Sequence, residues 1–217
     1  MFDAITNNLD LWGQAIAGTL ILFFGGALIA LVLGFIVGAM RVSPIPIARA
    51  VATAYVELVR NTPLTLVFFI FAFAVPVILP LGQTDYLMLG ICALGLYTAT
   101  YVAEVLRSGI NTVPVGQAEA ARAIGLPFEQ VMTLIVLPQA ARSVVPPMMS
   151  VLIALLKNTT IAAGFSVMNL GSIRAYMSER GENAMVVLIW VAVVFVALVM
   201  LLSWAQNALE RHWKVAR

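Results

Sequence analysis

The sequence predicts an all-α integral membrane protein with five transmembrane helices, and three observations carry that prediction. Of its 217 residues, 62% are hydrophobic and only 10% are charged, against roughly 25% charged in ordinary soluble domains. Uncharged runs extend over Leu11 to Met40 (30 residues), Asn61 to Thr84 (24), Tyr86 to Ala103 (18) and Asn183 to Leu209 (27), and Ser143 to Ile173 is broken only by Lys157. A helix crosses the hydrocarbon layer with about 20 apolar residues, so five spans are expected, near 12–40, 58–81, 86–107, 141–165 and 184–208. Little remains outside them. A catalytic, ATPase or receptor domain takes about 100 residues or more, so the chain reads as one membrane domain over 1–217, with no enzyme activity of its own, that draws energy and recognition from partners.

The first span opens without a basic residue: the first ten positions hold Asp3 and Asp10 but no Lys or Arg. The apolar run that follows is too long for a signal-peptide core, so it is expected to be retained. Gly13, Gly18, Gly25, Gly26, Gly34 and Gly38 suit close helix packing within it. Ser43-Pro44-Ile45-Pro46 then signals a turn. Val51, Ala54, Tyr55 and Leu58 follow at helical spacing, opposite Arg49, Glu57 and Arg60, which predicts an interfacial amphipathic helix before span two, or else an extension of that span. Pro76 and Pro80 are expected to kink or end span two.

The basic residues orient the spans. Arg41, Arg49 and Arg60 lie between spans one and two, Arg107, Arg122 and Arg142 between three and four, and Arg211, Lys214 and Arg217 at the C-terminus. The connection from Gly82 to Asp85 has none, and in the fourth connection Arg174 and Arg180 are offset by Glu179 and Glu182. The excess of Lys and Arg in cytoplasmic loops therefore places the N-terminus outside and the C-terminus inside. Trp12, Trp204 and Trp213 fall near span ends, as interfacial anchors do. Cys92 and His212 are each alone, which leaves no intramolecular disulfide and no Cys/His metal cluster.

Residues 108–140 form the longest connection. Pro114 can start a helix, Gln117 to Ile124 continue it, and Gly125 with Pro127 stops it. A second helical stretch, Phe128 to Leu137, is expected to close or kink at Pro138. Ala118, Ala120, Ala121 and Ala123 leave the first helix nearly bare, open to close approach by another backbone, with Glu119 and Arg122 available to pair across the contact.

Glu119-Ala120-Ala121, Gly125, and then Ile135, Leu137 and Pro138 match every position of the EAA signature, and here the chain resembles the permease subunits of bacterial ABC importers. Further stretches resemble the polar amino-acid branch of that group: Arg60-Asn61-Thr62-Pro63-Leu64, Glu104 to Ile110, and Leu156-Lys157-Asn158-Thr159-Thr160. Within the branch it looks most similar to glutamate permease subunits of actinobacteria. Val67 stands where that family often has Gln, so no polar role is carried over there. The resemblance implies a type I importer permease fold whose loop is a coupling helix, with Gln117, Ala118, Glu119, Ala120, Ala121, Arg122, Gly125 and Pro127 meeting a cytoplasmic ATPase. It also implies that ATP and Mg are used by that ATPase, with no cofactor bound by this chain. The implied partners are an ATP-binding subunit, an extracytoplasmic substrate-binding protein, a homologous permease or second copy, an amino-acid substrate and the lipid of a bacterial cell membrane; nucleic acid is not among them.

Charges inside the bilayer need partners or water, since each costs about 2.5–3.5 kcal/mol at mid-membrane even on the lenient insertion scale. Glu104 ends a polar stripe with Tyr97, Thr100 and Tyr101, and Lys157 precedes Asn158, Thr159 and Thr160. A Lys, hydroxyls and a carboxylate complement the two charged ends of an α-amino acid. The expected substrate set is therefore Lys157, Glu104, Asn158, Thr159, Thr160, Thr100 and Tyr97, with Thr62 from the Arg60-to-Leu64 stretch. Pairing of Glu104 with Lys157 or with Arg107, as a packing lock, is the other reading of the same charges. Two further functional classes compete with the importer subunit: an ion-coupled carrier or channel acting without ATP, and a membrane scaffold. Five spans do not split into the even inverted repeats of many carriers, and a scaffold has no use for charges kept in the spans.

Overall fold

The computed structural model describes residues 2–79 and 85–213, which form helices joined by short turns, with no strand among them. The expected end of span two at Pro80, the connection from Gly82 and the basic residues Lys214 and Arg217 lie outside the described residues, as do the side chains of Arg211, His212 and Trp213. A one-turn helix α1 (Asp3–Thr6) leads into α2 (Leu9–Val42), and α3 (Pro46–Arg60) is followed by α4 (Leu64–Phe69) and α5 (Val75–Ile78). Then come α6 (Tyr86–Asn111), α7 (Val115–Ala123), α8 (Phe128–Gln130), α9 (Leu137–Asn158), α10 (Ile173–Glu179) and α11 (Ala184–Trp213). Four continuous helical stretches are long and apolar enough to cross a membrane, and the α3–α5 segment makes a fifth if its bent halves count as one span. The described residues thus hold four to five apolar spans, a range that includes the expected five.

The spine of the fold is the pair α2 and α6. Asp85 caps α6, its carboxylate accepting from the Leu87 and Met88 backbone N–H groups at 2.9 and 3.3 Å, which satisfies two donors that a helix start leaves orphaned. The seam works because glycine lets the two backbones touch. A methyl group on Gly34 would lie 2.5 Å from Val102 Cβ, and one on Gly95 would lie 2.6 Å from Ile29 Cβ. Nothing lies within 4 Å of the corresponding point on Gly13, which thus takes no part in the packing assigned to the span-one glycines. Leu22, Phe68, Leu94, Leu155 and Leu156 fill the main core where α2, α4, α6 and α9 meet.

Span two departs from the expected 58–81. α3 is a separate helix, and the segment Leu64–Ile78 leaves it at a bend of 100°. Pro63 explains the break, because a proline disfavours helical torsions at the residue before it and has no N–H to give. Pro76 and Pro138, expected to kink or close their helices, each stand in a helical stretch that continues past them, to Ile78 and Asn158. Each follows a π-helical turn, Ile70–Ala74 and Val131–Val136. Those turns contain Ala72 and Leu134, the residues whose carbonyls a proline ring four positions on would strike in a regular α-helix. The widened turn makes room for the ring, so span four runs unbroken over Phe128–Phe165, longer than the expected 141–165, and also carries Pro146 and Pro147.

After a 3₁₀ segment at Thr159–Phe165, Ser166 adopts a left-handed conformation (φ 60°) and the chain turns back into the protein. Val167 and Leu170 are buried. The Leu170 N–H donates to Thr19 Oγ1 at 2.9 Å, and the Met168 carbonyl occupies the space a Gly18 side chain would need. Arg180 ties the next turn to the start of α2, donating to Asp10 at 2.7 and 3.0 Å and to Asn8 at 3.0 Å, while Asn8 donates to Glu182 at 3.0 Å. α11 lies on the outside, its apolar side chains such as Val196, Met200 and Trp204 exposed. Trp12 is no surface anchor. It is 4% exposed, and its indole N–H donates to the Ala4 carbonyl at 3.2 Å.

The glycine seam generates a test. Gly34→Ala forces its methyl into Val102, an overpacking cost of about 1–3 kcal/mol, and should lower the unfolding temperature in detergent. Gly13→Ala, with open space around it, should leave that temperature unchanged or slightly raised; equal effects would show that the seam is not close-packed.

Candidate functional site

Glu104 sits in the last two turns of α6 beside the ends of α2 and α3. Its carboxylate accepts from Arg41, and from Arg107 Nη2 at 2.7 Å, while Arg60 Nη1 lies 3.7 Å away. Arg41 is the most enclosed of these, with 10% of its side chain exposed. One carboxylate thus gathers a guanidinium from each of three helices. Of the two alternatives weighed for this residue, the pairing with Arg107 is present and a pairing with Lys157 is not found among the described residues.

Arg60 carries the cluster outward, its guanidinium 5.0 Å from the centre of the Tyr101 ring, a cation–π contact. The Tyr101 and Tyr97 hydroxyls are 3.0 Å apart. Both rings line a cavity of about 430 Å³ between α6 and α9, together with Thr98, Ser150 and Asn158. This is the volume range of small-molecule sites, with a few polar groups on an otherwise apolar wall.

The expected substrate residues do not all meet there. Tyr97 and Asn158 do. Thr100 is fully buried and donates to the Tyr97 carbonyl at 2.7 Å. Thr159 is also fully buried, donating to the Leu156 carbonyl at 2.6 Å, and its own carbonyl accepts from Asn169. Thr62 lies at the α3–α4 bend with its hydroxyl on the Leu58 carbonyl. Lys157, one residue before Asn158 and so about 100° around the helix, is exposed and lines a different cavity of about 450 Å³ with Thr160, Phe195 and Met200. The Thr160 hydroxyl donates to the Lys157 carbonyl at 2.8 Å. Hydroxyls that looked available in the sequence are thus spent on their own helix, the usual fate of Thr in apolar helices. Thr98, Ser150 and Arg41 were missed. Only Arg41 left a signal, as a charge ending a long apolar run on the side where Arg107 was also expected.

The connection between α6 and α9 is a short helix with a built stop. Gly125 has φ 89°; its N–H donates to the Arg122 carbonyl at 2.9 Å and the Leu126 N–H to the Ala121 carbonyl at 3.2 Å. This is the Schellman pairing that ends helices on a left-handed glycine. Ala121 is buried and Ala118 half-buried against Val131, Val136 and Ile135, so these two alanines seat α7 on its own chain, contrary to a helix bare all round. Gln117 is held by Gln139, whose amide also donates to the Ile135 carbonyl at 2.9 Å. Glu119, Ala120, Arg122, Ala123 and Pro127 face outward, joined by exposed Ile124 and Phe128, which the sequence reading had not included.

Residues 30–215 match the family described as binding-protein-dependent transport system inner membrane component. The chain belongs to this family. It is therefore a multi-pass transporter subunit rather than an enzyme. The chain is 44% identical over 184 residues to the glutamate transport system permease protein GluC of Corynebacterium efficiens, covering 80% of this chain and 79% of that one. It is 34% identical over 213 residues to the probable glutamine ABC transporter permease protein GlnM of Bacillus subtilis, covering 98% and 95%. Its fold superposes with a TM-score of 0.89, at 25% identity and 98% coverage of both chains, on the crystal structure of an amino acid ABC transporter with histidines. The resemblance stated from the EAA signature and the type I permease fold are thereby borne out.

The arginine cluster can be tested by a mutant cycle. Glu104→Gln leaves Arg41 without its counter-charge and should cost up to roughly 3 kcal/mol of stability, the penalty of breaking an enclosed pair. Arg41→Met in the same chain should recover most of that loss, and additive single effects would show that the two side chains are uncoupled.

Proposed function

We propose that this chain is the permease subunit of an ATP-driven importer that moves a polar amino acid, glutamate foremost, into the cytoplasm. Two such subunits, identical or homologous, enclose the path. A separate ATPase binds and hydrolyses ATP with Mg, and an extracytoplasmic binding protein delivers the solute. The observation that carries this reading is the family match over residues 30–215, supported by the glutamate and glutamine permease relatives. That match disfavours the ion-coupled carrier. In the bacterial cell membrane the arginine-rich end of the bundle and α7 face the cytoplasm, and the N-terminus faces outside, in keeping with the basic-residue bias.

The solute path borders the cavity of Tyr97, Tyr101, Ser150 and Asn158, whose hydroxyls and amide suit a zwitterion. Lys157, exposed on the adjoining face of the same turn, meets the carboxylate where the second permease closes the path. Thr159, Thr160, Thr100 and Thr62 shape the backbone that presents these groups. Glu104, with both oxygens already engaged by arginines, acts through Arg60 on Tyr101 and does not take the substrate's ammonium. α7 transmits ATPase closure through Glu119, Ala120, Arg122 and the turn at Gly125, seated by Gln117, Ala118 and Ala121, and the spans move as near-rigid bodies.

Transport by the complex in proteoliposomes, with the ATPase and binding protein co-expressed, tests the site. Glutamate uptake should require ATP inside, and Lys157→Met and Asn158→Ala should each lower it at least about tenfold while assembly is unchanged. Uptake driven by an ion gradient without ATP would overturn the reading.

Coupling is tested separately. Gly125→Val has space for its side chain but must hold a left-handed backbone that costs roughly 1–2 kcal/mol outside glycine. Co-purification of the ATPase should fall sharply, whereas normal co-purification and uptake would show that the turn is not what positions α7.

A further inference from the structure

Separate from the tyrosine-lined cavity, an open-mouthed cavity of about 530 Å³ lies along α3, lined by Arg41, Pro46, Arg49, Thr53, Glu57 and Arg107 among others. We propose that it holds the headgroup phosphate of an anionic phospholipid.

Charge is the first argument. Arg41, Arg49, Arg60 and Arg107 surround only two carboxylates, Glu57 and Glu104, which leaves two positive charges in excess at the end of the bundle. Glu104 is already shared by three guanidinium groups. The chain supplies few acceptors at the cavity: Arg49 reaches only the Ser43 carbonyl at 3.4 Å. A phosphodiester brings a charge and several strong acceptor oxygens, the complement that guanidinium groups favour.

Placement is the second. Around α3, Arg49, Thr53 and Glu57 at four-residue spacing share the flank that lines the cavity. Ile47, Val51 and Leu58 occupy the opposite flank and are 77%, 57% and 71% exposed, so that flank requires a hydrocarbon neighbour. A helix with one flank in acyl chains and the other charged lies in the interface at headgroup depth. Basic pockets at the ends of membrane helices are where anionic headgroups bind. A lipid fills both requirements at once, its phosphate in the cavity and its chains along the apolar flank, whereas free phosphate fills only the first. The inference does not depend on which solute is transported.

Native mass spectrometry of the purified complex, equilibrated with phosphatidylglycerol or phosphatidylcholine of equal chain length, tests it. Phosphatidylglycerol should be retained in preference. Arg49→Gln, at an exposed position with one weak contact, should lower that retention about fivefold, and Glu57→Gln should raise it. Equal retention of the two lipids, or no response to either substitution, overturns the proposal. So does displacement of the lipid by inorganic phosphate, which would make the site one for free anions. Release of the ATPase by Arg49→Gln with lipid retention unchanged would make the cavity a protein contact and overturn it equally.

Discussion

A single carboxylate holds three helix ends together. Without Glu104, three guanidinium groups at the ends of α2, α3 and α6 would face one another with no counter-charge between them, and Arg41, only 10% exposed, would have little water to replace it. With it, Arg41 can be enclosed, α3 can turn away from span two at a right angle and still be fastened, and Arg60 can lie over Tyr101. One wall of the tyrosine-lined cavity thus depends on a charge pair about one helical turn from Tyr101. Because one acid does not neutralise its neighbours, the same cluster leaves the cavity beside α3 positively charged.

Much of this architecture was legible in the sequence, because the hydrophobic effect writes spans as runs and runs are easy to count. The last apolar run is one continuous helix, α11, and the helix, left-handed glycine and second helix around Gly125 stand where residue types alone placed them. What failed did so for local reasons. Proline was read as a helix breaker, but whether it breaks a helix depends on the turn before it, and Ile70–Ala74 and Val131–Val136 are widened. Tryptophan near a span end was read as an anchor, but Trp12 is enclosed by α10 and α11, which lie far along the sequence.

The polar residues were harder. Periodicity placed Tyr97, Tyr101 and Glu104 on one face of α6, yet it could not show that Thr100 and Thr159 spend their hydroxyls on backbone carbonyls. Nor could adjacency of Lys157 and Asn158 in sequence show that they look into different cavities. Arg41, the closest partner of Glu104, is 63 positions away, and nothing in a one-dimensional pattern joins them.

The widened turn at Val131–Val136 is itself the wall that seats α7, and α9 runs from it to the polar end at Asn158. Each residue of an α-helix advances the chain by about 100° of rotation but only about 1.5 Å of length. A turn closed by i→i+5 bonds holds one residue more than a regular α-helical turn, so losing one residue from Val131–Val136 would leave Asn158 and Lys157 pointing as they do and would instead bring the Pro138 ring against a carbonyl. Losing one residue from the regular turns of α9 would rotate both by about 100°, carrying Asn158 away from Tyr97 into the direction Lys157 now takes. The phase relation between the α7 end and the cavity end is thus fixed by chain length along α9, and the widened turn is where the helix absorbs an extra residue without rotation.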